Sequence, residues 1–392
     1  MCHGAVLLAM LGAMSKAWIT RPLGMFTGVD QTQNFRELGT IFPCRVIRRS
    51  ERPRRLLRGE PLLLPASYEH TGQRQSSADL LASTETAGLL IWQRGVLRYE
   101  RYFLGLTRRS QWSLWSITKS WVATLVAVAL KERAIGSLDD AVTQYVPRLA
   151  ASAYDGVTLK QLLQMSIGAR WDETYSDAAS DIREAGRALA QGGSRSEVAA
   201  TLKREHAPGT YHRYSSIDTH VLGMVLRRAT GRPLSEYLRE KLWLRLGAES
   251  DAHWAVEGDG REWAAAGLSA TLRDTAKLGI LYAQNGAWHG EQLLPEDWVR
   301  AAVSADAPHL VPGPRAGSAS PLGYGYQWWL PDASGAYCAM GVYNQFVYVD
   351  PPRALVIAKL SANRNYALRG DPRFFRESEH FAFFRAVAAC CD

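Results

Sequence analysis

Ser116-Ile-Thr-Lys119 sets a hydroxyl and an amine three positions apart. On a helix, positions i and i+3 share a face, so the amine would stand beside the hydroxyl. A serine at the first turn also lies among unpaired backbone N–H groups, where the helix dipole favours developing negative charge. The apolar run WVATLVAVAL follows almost at once. Burial there would lower the pKa of Lys119 and make its neutral amine accessible as a general base. One turn would then hold a nucleophile, a base and half an oxyanion hole, which is the equipment for acyl transfer. The bland alternative makes Ser116 a helix cap and Lys119 a surface residue, and so short a motif does not choose between them.

Two further segments bear on the choice. Tyr214-Ser215-Ser216 follows Pro208-Gly209-Thr210 and directly precedes a helical stretch. A tyrosine at such a junction can point its phenol into a cleft and shuttle a proton between base and leaving group, although a half-buried core tyrosine is the commoner fate and Tyr211 competes for the role. Ala339-Met340-Gly341-Val342 reads as a late strand, where Gly341 would let a substrate approach the backbone and a nearby N–H would complete an oxyanion hole. The loop from Trp171 to Asp177, with Tyr175 inside it and Asp181 after it, offers a hydroxyl and carboxylates to a substrate, or is simply solvated. Trp328 and Trp329 lie in a late strand and alternate faces, so at most one lines the cleft, and Trp328 is taken as the candidate. His206, His212 and His220 have no spacing that demands a role.

The elements that must position these groups are legible in outline. Thr86 to Trp92 and Val96 to Phe103, parted by Gln93-Arg-Gly95, read as a β-hairpin. Ser116 to Arg133 is apolar on nearly every side and reads as a buried helix. Helices are expected at 159–165, 194–205, 217–230, 234–244 and 272–284. Strand signals return at 324–329, 337–340, 345–349 and 354–360, and 381–389 closes the chain as a helix. Strands at both ends with helices between them imply an α+β fold: an antiparallel sheet built from both chain ends, flanked by helices, with a mostly helical insertion at about 135–300. Residues 1–65 read as an N-terminal arm and 66–392 as the folded domain.

The net charge of +8 invites an anionic partner, but seven arginines between Arg45 and Arg58 face one acid, Glu51, so this stretch carries +6 of it. The remainder is almost neutral, and no nucleic acid is expected as partner. A non-catalytic protein docking anionic lipid or nucleic acid through that arm is the alternative of another class. Five scattered cysteines, with no C-x-x-C pair and no nearby histidine spacing, imply neither a disulfide framework nor a metal site. H-E-x-x-H, Walker, G-x-S-x-G and strand-following G-x-G-x-x-G signatures are missing from the sequence, and no cofactor is expected. The apolar stretch from Ala5 to Met14 is too short to span a bilayer and lacks a basic n-region. A cytoplasmic location is expected, with export to the periplasm through a weak signal as the alternative, and a homodimer is left open.

Ser-x-x-Lys opening a buried helix, Tyr-x-Ser about a hundred residues later and a glycine-bearing strand near the C-terminus together resemble the serine β-lactamases, penicillin-recognising peptidases and related esterases. IGSLDDAVTQYVPRL, VTLKQLLQMSIGARWDE, PGTYHRYSSIDTHVLGMVLRRATGRPLSEYL, GLSATLRDTAKLGILYAQNG and GYGYQWW resemble most the class C β-lactamase-related branch, and within it the 6-aminohexanoate-oligomer hydrolases and carboxylesterases. The resemblance runs from about Asn34 to Leu360. It implies Ser116 as the acylated nucleophile, Lys119 as its base, Tyr214 as the relay, and the N–H groups of Ser116 and Val342 as the oxyanion hole. Two departures stand out. Ser216 replaces the asparagine that ends the second motif of true β-lactamases, and Ala339-Met340 replaces the basic residue before the glycine of the third. A methionine forms no charge-assisted bond to a carboxylate. The resemblance therefore implies hydrolysis of a small amide or ester, with β-lactamase or D-alanyl-D-alanine peptidase activity as the alternative.

Overall fold

The computed structural model describes residues 31–191, 193–366 and 375–391. The apolar stretch at 5–14 lies outside them. Seven strands form one antiparallel sheet: β1 (Thr86–Gln93), β2 (Val96–Tyr102), β3 (Gly323–Tyr324), β4 (Trp329–Leu330), β5 (Tyr337–Gly341), β6 (Gln345–Asp350) and β7 (Leu355–Ser361). Their spatial order is β3-β4-β5-β6-β7-β1-β2, so the last strand of the C-terminal meander pairs with the first strand of the N-terminal hairpin. Four helices matter for the site: α1 (Ile117–Lys131), α2 (Ser216–Thr230), α3 (Leu272–Ala283) and α4 (Glu377–Ala389). No helix among the described residues is long and apolar enough to cross a membrane.

The strands β1 and β7 are buried along their whole length, as continuous apolar runs covered on both faces should be. Their alternate residues divide between two cores. Leu89, Ile91, Phe346, Tyr348 and Ile357 meet Phe383, Phe384 and Val387 of α4. Leu90, Trp92, Val347, Val349, Val356 and Ala358 join the larger core that contains α1, α2 and α3. Gly279 lets α3 lie close on the sheet, since a Cβ there would come within 2.6 Å of Val347 Cγ1 and 2.8 Å of Val356 Cγ1.

Several elements differ from the sequence expectation. The stretch expected as one strand over 324–329 is two short strands broken at Gln327, whose φ of 61° is left-handed. The C-terminal helix begins at Glu377, four residues before the apolar signal at Phe381. Within the arm, two short helices (Gln31–Arg36 and Leu38–Ile41) precede a strand, Cys44–Ile47. That strand is the edge of a second antiparallel sheet, ordered Cys44–Ile47, Ala252–Ala255, Leu268–Ala270 and Trp112–Ser113. Further along, the arm follows β2 and satisfies its edge: Leu97 N donates to Leu57 O at 2.7 Å, and Leu62 N donates to Arg98 O at 2.8 Å. Its charge is partly answered by the body, through Arg45 with Glu262, Arg48 with Asp251 and Arg58 with Glu100.

Candidate active site

The strand Trp112–Ser113 turns sharply into α1, and Ser116 stands at that turn. The turn is tight enough to hold Trp115 at φ 49°, a conformation that a non-glycine side chain adopts only under constraint. The constraint is visible. The Trp115 ring packs against Phe35 at 5.2 Å and Tyr343 at 5.5 Å between centroids, and Thr118 N donates to Trp115 O at 3.0 Å. Phe35 belongs to the first short helix of the arm, so the N-terminal segment braces the residue next to the nucleophile candidate.

Ser116 occupies the N-cap position of α1, yet its side chain makes no capping hydrogen bond. Its Oγ instead lies 2.7 Å from Lys119 Nζ. Lys119 is buried, its Nζ also donates to Ala265 O at 3.0 Å, and it makes no ion pair among the described residues. Burial lowers its pKa from 10.5 to about 7, while Glu173 opposes that shift and Arg195 adds to it. The capping and surface-lysine alternative fails on both counts.

Tyr214 comes from the segment just before α2. Its ring faces Lys119 Nζ at 5.0 Å from the centroid. Burial and the nearby Glu173 push the phenol well above its ordinary pKa, so it stays protonated and can hand a proton on. Trp329 stacks on it at 5.1 Å. Trp328, taken from the sequence as the cleft residue, is instead fully buried between Tyr282 and Tyr337, because the backbone reverses at Gln327 and aims it into the core. Tyr211 stacks on His206 at 4.3 Å. Both His212 and His220 are buried, pushed down to about 3, and bonded to Ser318 and Ser196 respectively.

Gly341 ends β5 directly against the nucleophile turn. A Cβ on it would approach Leu114 O to 2.7 Å and Ser116 N to 3.1 Å, so only glycine lets the strand lie this close. Val342 follows in the turn to β6, its carbonyl held by Gln345 Nε2 at 3.1 Å. The Asp181 carboxylate accepts from Asp172 N at 2.7 Å and so ties its own loop.

Two organising residues escaped the sequence reading. Gln327 joins the elements that carry the site: Ser120 Oγ of α1 donates to its carbonyl at 2.7 Å, Thr219 Oγ1 of α2 donates to its Oε1 at 2.7 Å, and its Nε2 reaches Leu163 O at 2.7 Å. Glu173 accepts from Tyr175 O–H at 2.7 Å, from Ser216 N–H at 3.0 Å, from Ser216 Oγ–H and from the Trp171 indole N–H. The signal for Glu173 was faint: it lies midway between two residues, Trp171 and Tyr175, whose polar hydrogens need an acceptor.

A serine at the head of a buried helix, beside a desolvated lysine and under a tyrosine, on a sheet closed from both chain ends, defines a serine hydrolase of the β-lactamase type. The chain belongs to the Beta-lactamase family, whose model matches residues 75–376. It is 32% identical over 293 residues to the 6-aminohexanoate-dimer hydrolase of Paenarthrobacter ureafaciens, covering 72% of this chain and 74% of that one. A solved Bacillus anthracis protein, described as a candidate 6-aminohexanoate-dimer hydrolase, superposes with a TM-score of 0.82 at 23% identity over 94% of this chain and 95% of its own. A family VIII carboxylesterase shares the fold at a TM-score of 0.59 and 19% identity, over 80% of this chain and 95% of its own.

Proposed function

We propose that the protein hydrolyses a small linear amide or ester of the 6-aminohexanoate-oligomer type through an acyl-enzyme on Ser116. The observation that carries this reading is the 2.7 Å approach of a buried lysine, brought down to about 7, to an uncommitted serine hydroxyl. Neutral Lys119 takes the Ser116 proton as Oγ bonds to the substrate carbonyl carbon. The carbonyl electron pair moves onto oxygen, facing the N–H groups of Ser116 and Val342. The proton then passes from Lys119 through Tyr214 to the departing nitrogen or oxygen as that bond breaks, and water later releases the acyl group by the reverse relay. Tyr175 and Ser216, both bonded to Glu173, form a polar wall beside this centre that suits an amide. With Met340 where a basic residue would greet a β-lactam carboxylate, penicillins are not the favoured substrates. Five cysteines, odd in number and scattered without a C-x-x-C pair, suit a reducing compartment, and the cytoplasm is the proposed location.

The test is Ser116→Ala against wild type on p-nitrophenyl acetate and on 6-aminohexanoate dimer, with intact-mass detection of fluorophosphonate adducts. Turnover and adduct should both vanish, a loss of roughly 10³-fold or more. Retained turnover would overturn the assignment.

A further inference from the structure

Glu173 receives four hydrogen bonds from three residues on two segments, the loop at 171–175 and the start of α2. So many donors fix the carboxylate against Ser216, two residues from Tyr214, whose ring faces Lys119 Nζ at 5.0 Å. Lys119, in contrast, has no carboxylate in ion-pair contact among the described residues and meets only Ser116 and the Ala265 carbonyl through hydrogen bonds. A lysine buried in this way is a good base before the reaction and a costly cation after it has taken a proton. We propose that Glu173 is the counter-charge for the ammonium that Lys119 becomes, and that its hydrogen bonds to Ser216, Tyr175 and Trp171 fix that charge at a constant separation. The proposal rests on the reading of Lys119 as the base. Glu173 touches no reacting atom and acts as a positioning residue.

The other groups around this pair do not supply the charge. Arg195 is bound by Glu257 at 2.6 Å and lies over the Trp263 ring at 4.3 Å, and its charge works against the Lys119 ammonium. The phenols of Tyr175, Tyr214 and Tyr324 are all pushed up by burial and remain neutral. Asp218, buried beneath Tyr154, is brought up to about 8 and is largely uncharged at neutral pH. Glu173 acts on Lys119 through space in the direction that favours the ammonium. Burial and carboxylate together leave an amine that is free near neutrality and yet able to hold a proton during the reaction.

The experiment follows the rate of Ser116 phosphonylation by an uncharged fluorophosphonate from pH 5 to 9, read by intact mass, in wild type, Glu173→Gln and Ser116→Ala. Loss of the carboxylate makes Lys119 a weaker base. The acidic limb of Glu173→Gln is therefore expected to move down by about one pH unit, with a plateau about tenfold lower. An acidic limb that stays in place overturns the proposal, even if the rate and melting temperature both fall, because a purely structural role changes the amount of competent enzyme and not its titration. Should Glu173→Gln fail to fold, Glu173→Asp carries the test. A carboxylate withdrawn by one methylene is expected to shift the limb in the same direction by less, and an unmoved limb again overturns the idea. Adducts that persist in Ser116→Ala would instead overturn the nucleophile assignment beneath it.

Discussion

Among the described residues are two buried serine–lysine pairs. Lys119 bonds Ser116 at the head of α1, and Lys359 bonds Ser361 within β7 while also reaching Thr84 Oγ1 at 3.2 Å. Burial depresses both lysines, Lys359 well below its ordinary value. By side-chain chemistry alone the two are alike. Their surroundings are not. Lys359 sits in register between Leu89 and Phe346, on the face that α4 covers with Phe383 and Phe384. Lys359 is fully buried, and around it are the Thr84 and Ser361 hydroxyls, apolar groups of that core and His380, whose proton affinity burial lowers. Lys119 lies under Tyr214, within the field of Glu173, beside a serine whose N–H faces the glycine of β5. A desolvated lysine touching a hydroxyl is therefore not a catalytic site in itself. On the proposed reading it becomes one where a tyrosine and the close-lying glycine strand converge on it.

Replacing each lysine tests that contrast with the largest expected effect. Lys119→Met should lower kcat/KM by about 10³-fold with the fold intact. Lys359→Met should leave kcat/KM within about twofold, since the site is remote. Equal losses in steady-state assays of the two purified variants would erase the distinction.

Two glycines sharpen it further. Gly341→Ala drives a methyl into Leu114 O and Ser116 N, and should cut kcat by about 10²-fold through displacement of the nucleophile turn. Gly279→Ala drives a methyl between Val347 and Val356 in the core, and should cost about 1–3 kcal/mol of stability while sparing kcat per folded molecule. Thermal melts and active-site titration of both variants separate the effects.

The smallest effect is in pH dependence. Lys119 carries a pKa of about 7 when folded against 10.5 otherwise. Between those values the unfolded chain binds a proton that the folded chain does not, so this residue's contribution makes stability rise with pH across that window. Below about pH 7 the full penalty of burying the lysine is present. The melting temperature of Lys119→Met should therefore exceed that of wild type most at pH 7, with the gap narrowing by pH 10. A gap that is constant over this range would mean that Lys119 is not depressed. In the same variant pair, wild-type kcat/KM should climb through about pH 7 as the amine loses its proton.

Much of the frame could be read from residue order. The hairpin at Thr86, the buried helix after Ser116, the helix ending before Gly231 and the late strands all carry local signals, such as alternation, all-round apolarity and a left-handed glycine cap. The failures share a cause. Trp328 was placed on the cleft by strand alternation, which lapses where Gln327 takes φ 61°. The strand Cys44–Ile47 is only four residues long and gains its partners from residues Ala252–Ala255, so nothing local announces it. Glu173 looked like any loop acid because its donors include Ser216, 43 positions away.

Sequence alone determined what depends on neighbouring dihedrals: that a hydroxyl and an amine would share one helical face, that the helix bearing them would be buried, and that both chain ends would supply the sheet. Tertiary structure decided what depends on convergence. Ala265 reaches Lys119 across 146 residues of chain, and Gly341 and Glu173 arrive from the far end of the sheet and from an insertion loop. Proton affinity and substrate access are set by such distant groups, because electrostatic and steric interactions fall off with distance in space and take no account of separation along the chain. The choice between Lys119 and Lys359 was therefore made by folding.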